Sequence, residues 1–158
     1  MTSAARPRLS LSVQYATDDA PLPSRSRLRA WASAALERDA QVGLRIVNRA
    51  EGRRLNRDFR GQDHATNVLT FAYGDAGPQT DETARLSGDI VLCAPVVSEE
   101  ARMQGKPLEA HYAHLVVHGM LHLQGYEHER DDDAQTMEAR ETEILAKLGY
   151  ADPYAVAA

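Results

Sequence analysis

Residues 118 to 128 read HGMLHLQGYEH and place three histidines at a spacing typical of a metal site. His118 and His122 are four residues apart, just over one helical turn, so their imidazoles project from one face of a helix. Gly125 can end that helix in a left-handed conformation and turn the chain back, which brings His128 towards the same point. Three imidazoles with an open fourth position form a catalytic zinc site. The spacing therefore predicts one Zn²⁺ per chain, held by these three side chains.

Four of the six histidines share one face of the predicted helix that contains this motif. At about 100° per residue they fall within about 80° of one another. They are His111, His114, His118 and His122. The other positions of the helix are almost all apolar, which is typical of a buried helix whose polar line borders a cleft. The two earlier members, His111 and His114, are therefore candidates for supporting the metal ligands or for facing the substrate.

A zinc peptidase is an alternative with similar histidine spacing. Peptidases of the metzincin type carry a glutamate directly after the first histidine, where it activates the attacking water. This chain has Gly119 at that position, and the residues around Met137 predict a helix instead of a methionine turn. A metal can still acidify water, but no nearby residue of the motif supplies a proton to a leaving amine. Another zinc hydrolase, such as a peptidase lacking its glutamate, therefore remains an alternative.

The histidine motif and two upstream blocks closely resemble those of the YbeY family of bacterial rRNA-maturation endoribonucleases. The family pattern for the motif is H-G-x-L-H-L-x-G-Y-D-H. Residues 55–73, LNRDFRGQDHATNVLTFAY, are similar to the family's L-N-x-x-[FY]-R-x-K-D-x-P-T-N-V-L-S-F. Residues 87–101, SGDIVLCAPVVSEEA, resemble its GDI-V strand and the helix that follows. The resemblance spans about residues 40–150, with the blocks in the family's order.

Three positions depart from the family pattern. Gln62 stands where lysine is usual, which weakens any inference of a basic contact there, and His64-Ala65 stand where x-Pro is usual. Glu127 replaces aspartate and keeps the carboxylate. The resemblance implies that Arg60 is the functional arginine, placed near the metal to hold a phosphate. Arginine suits that role because its planar fork pairs two phosphate oxygens at once.

The resemblance implies a zinc-dependent endoribonuclease specific for single-stranded RNA. It further implies a role in maturation of the small-subunit rRNA 3′ end and in ribosome quality control. The implied partners are rRNA, the ribosome, small-subunit ribosomal proteins and assembly factors. Arg60 and His118 would be the catalytic residues, with the arginine stabilising charge that develops on the phosphate. His114 and Glu127 are candidates for the group that protonates the leaving oxygen.

The charge distribution is compatible with an RNA-binding patch on an acidic protein. The formal net charge is −5, yet residues 25–60 contain ten arginines and four acidic residues, a local balance of +6. Such asymmetry can create a local anion-binding surface. Arg53, Arg54 and Arg57 lead into the family-like block and are expected to contact RNA phosphates.

Apolar periodicity and turn residues predict one α+β domain. The predicted order is strand, helix, strand, helix, strand, strand, helix, helix, helix. The four strands should form a mixed sheet, mostly parallel with one antiparallel strand, covered by about five helices. Ser24 is expected to cap a first helix that runs to about Arg38, and Asp132 with Gln135 to form a capping box on the last helix. The metal-site histidines would lie on a central helix and the loop after it.

The chain, residues 1–158, is expected to be a single cytoplasmic hydrolase domain. Its length suits one domain, it shows no cleavable apolar leader, and no stretch approaches membrane-spanning length. Segments 1–8 and 151–158 are expected to be frayed tails, and the polar segment 74–88 a mobile loop. Cys93, the single cysteine, lies in an apolar run and is expected to be buried.

A non-catalytic ribosome-assembly factor that uses the metal only structurally is the remaining alternative. Structural zinc sites are closed by a fourth protein ligand. No cysteine lies near the histidine motif, and the sequence offers no fourth convergent residue there. This argues for the enzyme over the binding protein.

Overall fold

The computed structural model describes residues 6–73 and 86–155 of the chain. The elements within these residues alternate in the order that the sequence predicts. They are β1 (Leu9–Ala16), α1 (Arg25–Ala34), β2 (Ala40–Val47), α2 (Arg49–Arg60), β3 (Val68–Ala72), β4 (Leu86–Cys93), α3 (Ala94–Gln104), α4 (Leu108–Leu123) and α5 (Asp131–Leu148).

The four strands form one mixed sheet with the spatial order β1-β2-β4-β3. β1 pairs with β2 and β2 with β4 in parallel, while β3 runs antiparallel to β4 at the edge of the sheet. The crossovers between the parallel strands contain helices, as parallel pairing requires. The predicted α+β domain with a mostly parallel four-stranded sheet and five helices is therefore confirmed.

The two faces of the sheet bury different cores. Alternate residues of the strands, including Leu44, Ile90 and Leu92, contribute to a large core shared with α1, α4 and α5. Residues of the opposite alternation form a smaller core that packs against Leu55 of α2. Its buried members are Val47, Leu69, Val91 and Cys93. The expectation of a buried cysteine is confirmed.

Helix α4 is the centre of the large core and is buried along most of its length. It packs against α1, α3 and α5 as well as against β3 and β4. Gly119 permits a close approach to the sheet, since a Cβ there would lie 3.1 Å from Ile90 Cδ1. That contact leaves little room for a longer side chain at this position. The glutamate of a metzincin peptidase would therefore have to displace β4 or its isoleucine.

The first helix ends earlier than the sequence predicts. Ser24 caps it as expected, since its Oγ accepts a hydrogen bond of 3.1 Å from Arg27 N–H. The helix stops at Ala34, about a turn before the predicted end near Arg38. The side chain of Gln124 donates to the Ala35 carbonyl and accepts from the backbone N–H of Glu37. This tertiary contact satisfies backbone groups that a longer helix would have used, so the extended prediction was wrong.

Helix α5 begins without the predicted capping box. Its N-cap is Arg130, and no side chain caps the first turn. Asp132 instead accepts a hydrogen bond from the neighbouring Asp133 N–H, at 3.0 Å. The three successive aspartates 131–133 occupy the first turn, where negative charge interacts favourably with the helix dipole. Acids at this end therefore stabilise the helix through charge and not through the predicted capping geometry.

Parts of the predicted loop and tails lie outside the described residues, namely 74–85, 1–5 and 156–158. Residues 86–88 of the predicted loop belong to β4, so the loop prediction was wrong there. Residues 151–155 are described, and their contacts bear on the histidine site discussed below. Across the described part of the chain, no helix combines the length and apolar character needed to cross a membrane.

A methyl group at Gly88 is expected to destabilise the fold. A Cβ there would lie 2.7 Å from Leu123 Cδ2 and 2.9 Å from the Phe71 carbonyl oxygen. The backbone oxygen cannot swing away, so the strand must shift, and such overpacking costs about 1–3 kcal/mol. Urea denaturation of Gly88→Ala should show a lowered midpoint, whereas Ser87→Ala, which adds no atoms, should stay close to wild type. An unchanged Gly88→Ala midpoint would contradict this packing.

Candidate metal centre

The structure brings His118, His122 and His128 together at the end of α4. The ring centroids of His118 and His122 lie 6.4 Å apart, with their planes parallel to within 4°. The His128 ring lies 5.4 Å from the first and 5.7 Å from the second. The three imidazoles thus form a compact triangle made from one helix and the loop that follows it.

The turn after α4 explains how His128 reaches the helix. Gly125 has φ of 106°, in the left-handed region that glycine adopts without strain. The backbone N–H of Tyr126 then bonds to the Leu121 carbonyl at 3.0 Å, which closes the helix end. The chain reverses there and carries His128 back past the last turn of α4.

Two of the three rings are oriented by hydrogen bonds at Nδ1. His118 Nδ1 lies 2.9 Å from Glu141 Oε2, and His122 Nδ1 lies 3.0 Å from the Tyr126 carbonyl oxygen. Both partners are acceptors, so each Nδ1 is protonated, and in the neutral imidazole each Nε2 then keeps its lone pair. Zinc-ligating histidines characteristically use one ring nitrogen for such an acceptor and the other for the metal.

The three imidazoles are therefore chemically suitable ligands for a zinc ion, although their nitrogen atoms do not converge on a single coordination centre. Neutral imidazole nitrogen is a preferred zinc ligand. Among residues 6–73 and 86–155, no three histidine, cysteine or acidic side chains converge tightly enough to hold a metal as they stand. The fit depends on the triangle of rings and on the acceptors at Nδ1.

Glu141 of α5 is a functional candidate that the sequence interpretation missed. Its side chain is fully buried, and it also lies 3.5 Å from His114 Nε2. Burial alone would raise the pKa of this carboxyl, but hydrogen bonds from two imidazoles and a phenol outweigh it and lower the pKa to about 2. The signal was present in the sequence, because Glu141 shares the apolar face of its helix with Met137, Ile144 and Leu145.

The phenol belongs to Tyr154, in the segment expected to be a frayed tail. Its hydroxyl donates to Glu141 Oε1 and lies 3.1 Å from His114 Nε2. Its ring packs edge-on against the His114 ring, with centroids 5.3 Å apart. The Tyr154 residue is 41% exposed as a whole, but desolvation of its inward-facing hydroxyl, reinforced by the Glu141 carboxylate, raises the pKa of Tyr154, so the hydroxyl keeps its proton. No feature of the local sequence pointed to this contact.

The two earlier histidines of α4 differ in their surroundings. His114 lies between its neighbours, with ring centroids 6.3 Å from His111 and 6.4 Å from His118. His111 is buried, and its Nε2 lies 2.8 Å from Glu100 Oε1. Burial lowers the pKa of His111, and the Glu100 hydrogen bond opposes that effect. His114 therefore contacts the Glu141 group, whereas His111 contacts a separate acid on α3.

Glu127 lies in the loop after α4, and Arg60 lies at the end of α2. Glu127 is exposed and lines a shallow groove with Gln124 and Asp133. Arg60, the last residue of α2, donates from Nη2 to the Thr70 carbonyl of edge strand β3 at 2.6 Å. Its guanidinium carbon lies 5.7 Å from the centroid of the Phe71 ring, within range of a cation–π contact.

A chain of contacts through β3 and β4 connects Arg60 to helix α4. Thr70, which binds the guanidinium, pairs with Ile90 of β4. Ile90 in turn packs against Gly119, the residue after His118. Arg60 is thus held at edge strand β3, which itself packs against α4, and its polar contact is with the β3 backbone.

The three arginines of α2 that were expected to contact RNA, Arg53, Arg54 and Arg57, are exposed at the surface. Arg53 pairs through two nitrogens with the Asp63 carboxylate, at 2.8 and 2.9 Å. Arg57 lies 3.2 Å from Asp58. Exposed pairs of this kind are weak and exchange readily with other anions. Arg54 is exposed as well. These residues lie on the helix that ends at Arg60, which would suit an extended anionic ligand.

Comparisons with known proteins agree on one family. The family model described as Endoribonuclease YbeY matches residues 15–149. The chain is 57% identical to Endoribonuclease YbeY of Aromatoleum aromaticum, covering 98% of this chain and 97% of the relative. It is 59% identical to Endoribonuclease YbeY of Nitrosospira multiformis, covering 96% and 86%. The solution structure of TM1509 from Thermotoga maritima superposes with a TM-score of 0.52 at 25% identity, covering 92% of this chain and 99% of that one.

Gly125→Ala should disturb the chain reversal that brings His128 to the end of α4. The φ of 106° is unfavourable for a residue with a Cβ, at a cost of about 1–2 kcal/mol. Gly105→Ala is a matched control, because Gly105 also has a positive φ, 65°, at the end of α3. Urea unfolding should show a comparable loss for both variants, whereas zinc titration should show weakened binding only for Gly125→Ala. Equal zinc affinities in the two variants would contradict this placement of His128.

Proposed function

Because the chain belongs to the endoribonuclease YbeY family, we propose that it is a zinc-dependent endoribonuclease that cleaves single-stranded rRNA. The observation that carries the proposal is the triangle of His118, His122 and His128, with two of its rings oriented by acceptors at Nδ1. The three side chains are the metal ligands, and they leave the remaining coordination position to water or substrate.

The proposed chemistry divides between the metal and the chain. When bound, Zn²⁺ supplies Lewis acidity at the scissile phosphate and acidifies water. Glu141 and the Tyr126 carbonyl keep the His118 and His122 rings in one orientation. This preorganisation lowers the cost of arranging the site during the reaction.

Arg60 is the proposed phosphate-binding residue. One of its terminal nitrogens is tied to the Thr70 carbonyl, which restricts where the guanidinium can lie. The other N–H groups of the fork remain to bind phosphate oxygens. A guanidinium held in this way stabilises the negative charge that builds up on the phosphate in the transition state.

His114 and Glu127 are both proposed candidates for the proton donor. The His114 ring adjoins that of His118, and its Nε2 faces Tyr154 and Glu141. The Glu127 carboxylate is exposed in the groove beside Asp133. A donor must lie within hydrogen-bond reach of the leaving oxygen, or reach it through one water. Glu127 is accessible to a substrate, whereas His114 would have to exchange the present partners of its Nε2 for one.

The biological context follows from the family and from charge. We propose that the substrate is the 3′ region of small-subunit rRNA and that the enzyme also serves ribosome quality control in the cytoplasm. Its proposed partners are the ribosome, small-subunit ribosomal proteins and assembly factors. Arg53, Arg54 and Arg57 would add phosphate contacts along α2, and Arg53 and Arg57 would exchange their carboxylate partners for RNA.

The peptidase alternative loses support from the packing of α4. Gly119 packs closely on Ile90, so a glutamate at this position would require the isoleucine side chain to shift. Neither Glu127 nor Glu141 occupies the equivalent position between the first two histidines.

Cleavage of a labelled single-stranded RNA carrying the small-subunit rRNA 3′ region tests the function. Zinc-loaded wild type should cleave it, whereas chelated wild type and His118→Ala should not. Arg60→Ala should lower the rate by roughly 10²–10³-fold, as loss of one charge-stabilising donor does. Arg54 is an exposed arginine on the same helix, so Arg54→Ala should lower the cleavage rate only slightly. Added salt should make the difference from wild type smaller still.

Circular dichroism should confirm that each variant is folded. Full activity in folded His118→Ala or Arg60→Ala would overturn the assignment. Cleavage of an unfolded protein instead of RNA would favour the peptidase, and zinc binding without any cleavage would favour an assembly factor.

A further inference from the structure

We propose that Glu141 and Tyr154 are positioning residues that hold His118 in a single tautomer, with Nε2 available to a ligand. The C-terminal segment around Tyr154 would then be part of the histidine site and not a tail. The consequence for zinc affinity rests on the proposed function, whereas the tautomer of His118 does not.

The first step of the argument is the burial of Glu141. A carboxylate removed from water is costly unless hydrogen bonds compensate it. Glu141 is fully buried, and its two oxygens have different partners: Oε2 lies 2.9 Å from His118 Nδ1, and Oε1 accepts from the Tyr154 hydroxyl. The carboxylate therefore has one orientation in which both oxygens are satisfied.

The second step is the effect on the imidazole. A carboxylate can only accept, so His118 Nδ1 must donate and carries the ring proton. In the neutral ring Nε2 is then unprotonated, which is the form that a metal or an incoming proton requires. Without Glu141, the two neutral tautomers of His118 would both be populated and the ring would be free to rotate.

The third step is the role of Tyr154. The segment that carries it is bound to the loop before α4, where Lys106 Nζ donates to the Pro153 carbonyl at 2.9 Å, and it is turned locally by Asp152 Oδ1, which accepts from Tyr154 N–H at 2.8 Å. The hydroxyl is thereby held on Glu141 Oε1, and it also reaches His114. Removal of the hydroxyl would leave that oxygen with only the more distant His114 Nε2, at 3.5 Å.

His122 provides an internal comparison. Its Nδ1 bonds to the Tyr126 backbone carbonyl, a partner that comes from the adjoining turn and requires no distant side chain. Loss of Glu141 or Tyr154 should therefore change the tautomer of His118 and leave that of His122 unaffected. A general loosening of the fold would change both.

The decisive experiment is long-range ¹H–¹⁵N NMR of the metal-free full chain at about pH 8, where an ordinary imidazole is neutral. Wild-type His118 should show a protonated Nδ1 and an unprotonated Nε2. Glu141→Ala should show a mixture of tautomers at His118 alone. Glu141→Gln, whose amide oxygen can still accept from Nδ1, should largely restore the wild-type pattern. Glu138→Gln, an exposed position one turn earlier on α5, is the matched control and should match wild type.

Zinc affinity, measured by chelator competition, is the second measurement. Loss of a residue that orients a ligating histidine typically weakens metal binding by 10–100-fold. Glu141→Ala should fall within roughly that range, Tyr154→Phe should show a smaller loss, and Glu138→Gln should be unchanged.

Unchanged His118 tautomers and zinc affinity in folded Glu141→Ala would overturn the proposal. If Glu141→Ala does not fold, the Tyr154→Phe variant tests the proposal instead. A wild-type His118 spectrum and zinc affinity in that variant would overturn the proposal, and a shift in both would support it. A His118 tautomer that depends on Glu141 in a protein that neither binds zinc nor cleaves RNA would support the positioning role and refute the proposed function. RNA cleavage together with normal zinc binding in Glu141→Ala would support the proposed function and refute the positioning role.

Discussion

The burial of α4 against the sheet is the constraint on which the rest of the structure depends. Gly119 permits the helix to lie directly on Ile90 of β4, and other helices pack around it. A helix enclosed in this way can carry polar side chains only where they find partners or reach an opening. The histidine face of α4 satisfies that condition at its carboxyl end, where the chain turns at Gly125 and returns with His128.

The burial of α4 also explains which groups surround its histidines. An enclosed imidazole needs a hydrogen-bond partner, and an enclosed carboxylate needs several donors. Glu100 accompanies His111, and Glu141 accompanies His118, so each acid offsets the cost of burying its neighbour. The Glu141 hydrogen bond thus orients the His118 ring, which is also what metal binding requires. The buried Nδ1 atoms of His111 and His114, by contrast, have no hydrogen-bond partner among the described residues.

The fold also determines where the positive charges of α2 lie, although the protein is acidic overall. The arginines of α2 lie on the face of the sheet opposite to α4, and the last of them, Arg60, reaches the carbonyl of edge strand β3. Arg53 is matched by an exposed acid, Asp63, whereas Arg60 bonds to a neutral backbone oxygen. Among the residues that the structure describes, Arg60 therefore has no carboxylate partner, which agrees with its proposed role of binding an RNA phosphate.

The order of strands and helices, the mostly parallel sheet and the three-histidine motif were predictable from the chain, because these depend on periodicity and on spacing within one turn of helix. The predicted end of α1 was wrong, because Gln124 supplies partners to the backbone there. The contacts of Glu141 with His118 and of Tyr154 with Glu141 exist only in the folded protein. Those partners lie 23 residues from His118 and 40 residues from His114 along the chain. Contacts over such separations are set by how the helices pack together, and no local pattern of residues encodes them.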